Sequence, residues 1–139
     1  MPTASCLCNA IKINIIGSPM AALRKQALCH CGDCRKISGS AFGFNWVLAS
    51  KDVEIAGNPK IFSTTANSGN TVTSHFCSDC GVTLWRDGPA TKGLMYFKAG
   101  TLDELKDQNL ANPVAEIFTS QRLFWLKAVS GAAQKDEME

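Results

Sequence analysis

The segment FCSDCG, residues 76–81, places a C-x-x-C pair directly before a glycine. This arrangement is typical of a zinc-binding knuckle, since Gly81 allows the chain to turn sharply after the second thiolate. A second pair, Cys6 and Cys8, lies close to the first residue of the sequence. The two pairs supply four thiolates, which close a tetrahedral zinc site and leave no coordination position for a substrate. We therefore predict a structural zinc ion that ties the N-terminal segment to the middle of the chain.

The alternative for these thiols is redox chemistry. Cys77 and Cys80 have the spacing of a C-x-x-C dithiol, and such pairs can be redox-active. The redox motif of thioredoxin-like proteins, however, occurs in a βαβ context that this sequence lacks. C-x-C pairs are also poor disulfide partners, because the small ring that they would close is strained. Zinc binding by Cys6, Cys8, Cys77 and Cys80 is therefore the preferred interpretation.

A third cysteine cluster occurs in CHCGDCR, residues 29–35. Its three thiols, Cys29, Cys31 and Cys34, can bind one zinc ion and leave a fourth position for water or a substrate. A substrate thiolate would suit so soft a site. The alternative is a second structural zinc, closed by His75 or by a carboxylate from elsewhere in the fold.

Polar residues surround this third cluster. His30 and Asp33 are predicted to orient the metal ligands from outside the coordination sphere. Arg35 and Lys36 follow the third thiolate and could pair with carboxylates of an acidic substrate, or simply be solvated. Ser38 begins the run Ser-Gly-Ser, which could bind an anion or form only a turn.

Composition excludes several classes of function. The 139 residues suggest one domain, and a net charge of +2, with no basic run longer than two, argues against nucleic-acid binding. No apolar stretch approaches the length of a membrane span, and residues 1–5 do not resemble a signal peptide. Seven cysteines, an odd number, argue against a disulfide framework. We therefore expect reduced thiols and a cytoplasmic protein.

Short strands separated by Gly, Asn and Pro dominate the pattern. The predicted strands are residues 10–16, 42–48, 52–55, 60–65, 71–76, 82–85 and 94–99. Helix signals are few: one turn over 33–40, and a short helix over 102–106 capped by Thr101 with Glu104 in a capping box. This pattern predicts a mainly β fold, as one domain over residues 1–130, followed by a flexible tail over 131–139.

The clusters, in this order, resemble the family of glutathione-dependent formaldehyde-activating enzymes and the related centromere-protein V domain. The resemblance covers residues 5 to 126. Besides the cysteine pairs, it rests on these segments: CHCGDCRKISG (29–39), Trp46, FCSDCGVTL (76–84), GTLD (100–103) and RLFW (122–125).

The resemblance implies antiparallel β-sheets in an Mss4-like fold with two zinc sites, the four-thiolate site structural and the three-thiolate site catalytic. It also implies carbon–sulfur lyase activity of the S-(hydroxymethyl)glutathione synthase type, with glutathione as co-substrate and a small molecule as substrate. Many members of the family have a histidine where this chain has Glu116. The predicted catalytic set is therefore Cys29, Cys31, Cys34, Asp33 and Glu116, with Arg35, Lys36 and Ser38 binding the co-substrate.

Two other functions stay open at this stage. A non-catalytic zinc-stabilised interaction module is one, because Mss4-like scaffolds also serve in protein interaction. A tailoring enzyme for a different metabolite is the other, favoured by Glu116 in place of histidine. The aromatic residues Phe42, Phe44, Trp46 and Trp125 could wall a pocket, although aromatic residues at alternating strand positions usually belong to a core.

Overall fold

The computed structural model of the chain describes residues 2–16, 26–104 and 112–137. Its strands are β1 (Thr3–Ser5), β2 (Lys12–Ile15), β3 (Gln26–Cys29), β4 (Gly43–Ala49), β5 (Val53–Ala56), β6 (Lys60–Thr65), β7 (Thr71–Phe76), β8 (Thr83–Asp87), β9 (Leu94–Lys98), β10 (Ala115–Ile117) and β11 (Ala133–Gln134). The α-helix in these ranges is α1 (Gly32–Ser38), and the 3-10 turns are Ser50–Asp52, Pro89–Thr91, Ala99–Thr101 and Thr119–Gln121.

These strands form two sheets. The smaller sheet has the order β1-β2-β5, and the larger sheet has the order β11-β10-β3-β4-β9-β8-β7-β6. Pairing is antiparallel throughout the smaller sheet and from β3 to β6 in the larger one, whereas β10 runs parallel to both β3 and β11. The predicted mainly β class is confirmed, and the two parallel pairs lie at one end of the larger sheet.

The core lies between the two sheets. In β2 the buried residues alternate with exposed ones, so that Ile13 and Ile15 face inward, as the sequence pattern predicts. They belong to the same buried cluster as Trp46 and Phe97, which pair across β4 and β9. Each such side chain contributes about 1.5–3 kcal/mol through removal of apolar surface from water. Cys6 is part of this cluster, so the four-cysteine site is attached directly to the core.

Register places polar residues on the opposite face of the larger sheet. Asn45 precedes Trp46 and pairs with Lys98, while Gly43 pairs with Cys29. Successive side chains of a strand point to opposite faces, so Asn45, Lys98 and Cys29 share the face that turns away from the core. This face carries the three-cysteine cluster.

Each of the seven predicted strand segments overlaps an observed strand. Four strands are not predicted by the sequence pattern, and they contain only two to four residues each: β1, β3, β10 and β11. Such short segments show no alternation that a sequence pattern could reveal. Their positions are set by pairing with longer neighbours.

The helix predictions had mixed outcomes. The turn predicted over 33–40 is α1, which ends at Gly39 in the left-handed conformation with φ 65°. The predicted capping box is not formed: the Thr101 hydroxyl donates to the Lys98 carbonyl, and the Glu104 carboxylate accepts from the Thr3 N–H and hydroxyl. Residues 105–106 of that predicted helix lie outside the described residues. Within the described ranges, no helix has the length and apolar character needed to cross a membrane.

The segment predicted to be a flexible tail pairs with the sheet in its described part, residues 131–137. β11 runs parallel to β10, and the Lys135 N–H donates to the Glu116 carbonyl over 2.9 Å. The Phe118 N–H in turn donates to the carbonyl of Glu137. This pairing was not predictable from the sequence, because β11 is only two residues long and both residues are exposed. The domain boundary at residue 130 stays a prediction.

Candidate functional site

Four cysteines from two distant parts of the chain converge at one edge of the core. The sulfur atoms of Cys6, Cys8, Cys77 and Cys80 all lie within 4.8 Å of one another. The Sγ of Cys8 is 3.7 Å from that of Cys6 and 3.6 Å from that of Cys77. Zinc–sulfur bonds of about 2.3 Å in a tetrahedron require sulfur atoms about 3.8 Å apart. The geometry therefore fits one zinc ion held by four thiolates.

Local backbone geometry favours thiolates in this cluster. The Ile11 N–H donates to the Sγ of Cys6 over 3.3 Å, and the Asp79 N–H donates to that of Cys77 over 3.4 Å. Backbone hydrogen bonds from Val82 and Cys8 lower the pKa of Cys80 to about 6. Gly81 has φ 81°, which an L-residue with a side chain rarely adopts, and this allows the chain to leave the knuckle into β8.

The second cluster is built from one continuous segment. Cys29 ends β3, Cys31 caps the N-terminus of α1, and Cys34 lies in its first turn. Their sulfur atoms lie within 4.8 Å of one another, and those of Cys29 and Cys31 are 3.3 Å apart. The Cys34 N–H donates to the Sγ of Cys31 over 3.3 Å. A strand that ends directly before a helix N-terminus thus brings three thiols to one point.

The three thiols differ in the direction in which their pKa values are shifted. Hydrogen bonds from Cys29 and Cys34 lower the pKa of Cys31, while hydrogen bonds to Cys31 and Cys34, together with burial, raise the pKa of Cys29. Cys31 is also half-buried, whereas Cys29 and Cys34 are buried. Cys31 is therefore the most acidic and most accessible of the three thiols. This donor set of three sulfur atoms fits a soft divalent metal such as zinc.

No fourth ligand joins the three thiols within the part of the chain that the structure describes. The metal-ligating groups found together there are Cys29, Cys31 and Cys34 alone. His75, which could have closed the site, instead places its Nε2 2.8 Å from the Oδ1 of Asp87 and stacks on Trp85. The second cluster thus differs from the first by one ligand.

The side chain between the first two thiols of this cluster is held by Glu116. The Nε2 of His30 lies 2.7 Å from the Oε1 of Glu116, and both residues are 1% exposed. The Oε2 of Glu116 accepts hydrogen bonds from the Val129 N–H over 2.7 Å and from the Gln134 side chain over 2.8 Å. Arg122 of the RLFW segment lies 3.5 Å from the same oxygen and donates to the Gln134 side chain.

Glu116 is ionised in this setting. Burial opposes the charged form, but hydrogen bonds from Gln134, Val129 and His30 lower the pKa of Glu116 to about 2, and Arg122 adds to the effect. The carboxylate oxygens contact His30, Val129, Gln134 and Arg122. The residue predicted to be catalytic from the sequence is therefore enclosed beneath the cluster.

The other predicted site residues lie around α1. Asp33 has an exposed side chain, and its Oδ2 is 3.6 Å from the Nη1 of the buried Arg86. Arg35 is half-buried and Lys36 is exposed. The Ser38 hydroxyl donates to the Cys34 carbonyl over 2.7 Å, which occupies its hydrogen atom within the helix. These residues flank the thiols, and the structure does not bring their polar groups together at one point.

A cavity of about 360 Å³ lies beside both clusters. Its walls come from α1 (Ile37, Ser38), from β4 and β9 (Gly43, Phe44, Lys98), from the knuckle (Cys80, Gly81, Val82, Thr83) and from Gly100 and Thr101. Gly43 is a thin wall between this space and the second cluster, because a Cβ at that position would lie 3.4 Å from the Sγ of Cys34. The aromatic residues that could have walled a pocket lie in different places. Phe44 lines the cavity, Trp46 belongs to the core, and Trp125 is 60% exposed.

Comparison with known proteins agrees with this arrangement. The family described as "Glutathione-dependent formaldehyde-activating enzyme" matches residues 1–121 of the chain. The chain belongs to this family. No curated protein matches it.

A solved structure shares the fold of this member of the glutathione-dependent formaldehyde-activating enzyme family. The crystal structure of a Rhodobacter sphaeroides protein, a structural-genomics target, superposes with a TM-score of 0.60. The match covers 80% of this chain and 96% of that chain, at 14% sequence identity. Identity this low supports the shared fold and carries no statement about activity.

Sequence reasoning missed Lys98 and Asn45 of this family member. The Nζ of Lys98 donates to the Oδ1 of Asn45 over 2.9 Å, and the Nδ2 of Asn45 points to the Sγ of Cys34 over 3.7 Å. Burial lowers the pKa of Lys98, whereas the thiolate of Cys34 favours its charged form. One signal was available: Lys98 ends a strand rich in large apolar residues, where a charge is unusual unless it is paired.

Proposed function

We propose that this chain is a zinc-dependent carbon–sulfur lyase that reversibly joins a thiol of the glutathione type to a small aldehyde, formaldehyde or a relative. The observation that supports this proposal is the convergence of three thiols with no fourth ligand among the described residues, in a member of this family. A site with three protein ligands leaves a position for a substrate, which a four-thiolate site does not.

We further propose two zinc ions. Cys6, Cys8, Cys77 and Cys80 would hold the structural ion, and Cys29, Cys31 and Cys34 would hold the catalytic one. Bound at the three thiols, zinc would keep a substrate thiol in its ionised, nucleophilic form at neutral pH. Three thiolate ligands donate much charge, so this site favours binding a thiolate over producing hydroxide.

Two of the chain's own residues act directly at the three-cysteine cluster in this proposal. Asn45, through its Nδ2, supports the Cys34 thiolate. Asp33 has an exposed carboxylate between Cys31 and Cys34, so it can pass a proton between water and the oxygen atom of the aldehyde. In the forward direction the thiolate sulfur bonds to the carbonyl carbon and the oxygen takes this proton. The reverse step breaks the same carbon–sulfur bond and returns the proton.

Glu116 acts in this proposal as a positioning residue. Its carboxylate binds the ring of His30, and this fixes the segment that joins Cys29 to Cys31. Arg35 and Lys36 on α1 would attract the carboxylates of glutathione, whereas the Ser38 hydroxyl donates to the Cys34 carbonyl within the same helix. We also propose a cytoplasmic location and a small-molecule substrate, which seven free thiols and a net charge of +2 support.

The test combines zinc analysis with an exchange measurement. Purified protein should contain two zinc ions and should accelerate the exchange of ¹³C-formaldehyde with its glutathione adduct, observed by NMR at equilibrium. Cys31→Ser should keep one zinc ion and its fold and lose the acceleration. Asp79→Asn changes the aspartate of the other C-x-D-C segment, and this variant should keep two zinc ions and the acceleration. A protein with two zinc ions and no acceleration, whose Cys31→Ser variant unfolds, would favour the interaction module instead.

A further inference from the structure

Two buried cations lie on the polar face of the larger sheet. Arg86 and Lys98 are each 9% exposed. Arg86 pairs with Tyr96 across β8 and β9, and Tyr96 is two residues before Lys98, so both cations share the face that carries the three-cysteine cluster. A buried charge is costly unless it is paired, so the partner of each cation indicates its role.

The two cations differ in their partners. The Nε of Arg86 donates to the Ser74 hydroxyl over 3.1 Å, and its Nη1 lies 3.6 Å from the Oδ2 of Asp33. Among the described residues, no carboxylate oxygen lies within 4 Å of the Nζ of Lys98. This Nζ donates instead to the Oδ1 of Asn45, a neutral amide, over 2.9 Å. The negative charge that balances Lys98 therefore comes from a group other than a carboxylate.

The three-cysteine cluster supplies this charge. Asn45 is 8% exposed and contacts both sides: its Oδ1 accepts from Lys98, and its Nδ2 points to the Sγ of Cys34 over 3.7 Å. Burial lowers the pKa of Lys98, whereas the thiolates of Cys34, Cys29 and Cys31 act in the opposite direction and favour the charged form. The Asn45 amide thus links a buried cation to the thiolates.

Negative charge accumulates at this cluster when a substrate thiolate binds. Three thiolates and one divalent metal ion have one net negative charge, and a fourth thiolate would raise this to two. In the four-cysteine cluster, Cys8 is exposed, so water can stabilise such a charge. Cys29 and Cys34 are buried, where charges interact more strongly because the dielectric constant is lower. A buried cation on the same face of the sheet offsets part of this charge.

We propose that Lys98 is a positioning residue of the three-cysteine site, whose buried charge, linked to Cys34 through Asn45, allows this site to take an anionic thiolate as its fourth ligand. The incoming thiol releases its proton to solvent as its sulfur binds, and the ammonium group compensates the added charge. A neutral ligand adds no charge and gains nothing from Lys98. Lys98 therefore selects thiolates over neutral ligands. This inference rests on the proposed function in one respect, since it needs a metal ion at the three thiols.

The experiment compares two probes for the fourth position in Co²⁺-substituted protein. 2-Mercaptoethanol binds as an anionic thiolate and imidazole binds as a neutral ligand, and the visible absorption of Co²⁺ reports either one. The four-cysteine cluster has no free position and should not respond. At one neutral pH, Lys98→Met should weaken 2-mercaptoethanol binding about tenfold, the order expected for one unit-charge interaction in a partly buried site. Imidazole binding should be unchanged, whereas a merely structural role of Lys98 would weaken both probes equally.

Two further variants complete the test. Lys51→Met removes an exposed lysine from the 3-10 turn Ser50–Asp52 and should leave both affinities unchanged. Asn45→Asp gives Lys98 a carboxylate partner and should also weaken the thiolate selectively, which keeps the proposal testable if Lys98→Met does not fold. Equal weakening of both probes, unchanged thiolate affinity in these variants, or no response of the wild type to either probe would overturn the proposal. Failure of the exchange reaction with a Lys98-dependent thiolate preference intact would overturn only the proposed function.

Discussion

Two segments of this chain share the pattern C-x-D-C and begin in the same way. In residues 31–34, the Arg35 N–H donates to the Cys31 carbonyl, and in residues 77–80, the Gly81 N–H donates to the Cys77 carbonyl. After this common turn they diverge. Arg35 continues as a helix, whereas Gly81, with φ 81°, ends the turn and directs the chain into β8. One residue after the motif thus decides whether the pair begins a helix or a knuckle.

The two clusters also differ in where their remaining ligands come from. Cys29 lies two residues before Cys31, so the three-cysteine cluster is local. Cys8 and Cys77 are 69 positions apart, so a metal ion in the four-cysteine cluster closes a long loop. Closing a long loop removes more freedom from the unfolded chain than closing a short one. A metal ion in the four-cysteine cluster is therefore expected to stabilise the whole fold, whereas loss of an ion from the three-cysteine cluster is expected to have little structural consequence.

Cys77→Ser and Cys31→Ser test this contrast with the largest expected effect. Structural zinc in small domains contributes about 10–16 kcal/mol, which is comparable to the entire stability of a typical domain. Cys77→Ser should therefore abolish the fold. Cys31→Ser should lose one zinc ion and keep the fold. Zinc content and near-ultraviolet circular dichroism measure both outcomes. If both variants unfold, the clusters are equivalent and the contrast is wrong.

Glu116→Gln should weaken metal binding at the three-cysteine cluster and leave metal binding at the four-cysteine cluster unchanged. Neutralising Glu116 weakens its buried contacts with His30 and Arg122, which should lower the free energy of unfolding by about 3 kcal/mol. We expect weaker zinc binding at the second cluster and unchanged binding at the first, measured by competition with a chelator. Lys51→Met, on the exposed turn after β4, is the control. Equal loss of zinc from both clusters would contradict this prediction.

The same carboxylate gives a pH dependence with a defined sign. The folded protein holds the pKa of Glu116 at about 2, below the unfolded value of about 4.3. Its stabilisation is therefore present above about pH 4.5 and is lost as the pH falls toward 2. The difference in free energy of unfolding between wild type and Glu116→Gln should shrink over that interval in urea titrations. A constant difference would mean that Glu116 is not ionised in the folded state.

Gly43→Ala should perturb the second cluster by crowding. A Cβ at residue 43 would lie 3.1 Å from the Cβ of Cys34, so the cysteine or the strand must shift. We expect a loss of about 1–3 kcal/mol in stability and weaker metal binding by Cys34. Gly100→Ala is the matched control, because a Cβ there meets nothing within 4 Å. Thermal melting and zinc titration report the two effects, and similar behaviour of both variants would refute the crowding argument.

The smallest effect is expected from the aspartates inside the two motifs. Asp33 lies 3.6 Å from Arg86 and has an exposed side chain, so Asp33→Asn should cost under about 1 kcal/mol in stability. Asp79→Asn, its counterpart in the knuckle, should cost less still. If Asp33 moves protons in the reaction, Asp33→Asn should reduce the exchange rate while Asp79→Asn does not. Equal rates for the two variants would remove Asp33 from the proposal.

Much of the fold was predictable because its long strands carry clear alternation. Ile11, Ile13 and Ile15 are spaced for one face of a strand, and all three are buried. The short strands β3 and β10 were not predictable, since their pairing depends on residues about 90 positions apart. The cysteine spacing did indicate the two groups of thiols that converge in the structure.

The surroundings of the thiols were less accessible to sequence reasoning. Glu116 was assigned to catalysis because it replaces a histidine common in the family, but the fold encloses it against His30. Lys98 drew no attention, since a single lysine in a strand is normally solvated. Whether such a charge faces water or a cavity depends on which strands become neighbours, here β4 and β9. Packing across the sheet determines that, and local sequence does not.

The pairing of β11 with β10 has a consequence for the order in which the molecule assembles during translation. The four-cysteine cluster has all its ligands once Cys80 has left the ribosome. The segment between Cys29 and Cys31 is positioned only when Glu116 binds His30. The Glu116 carboxylate is in turn held by Val129 and Gln134, which are synthesised later. All seven cysteines therefore leave the ribosome before the residues that position the segment between Cys29 and Cys31. During synthesis, the three thiols are thus exposed first, while the final geometry of their cluster is set last.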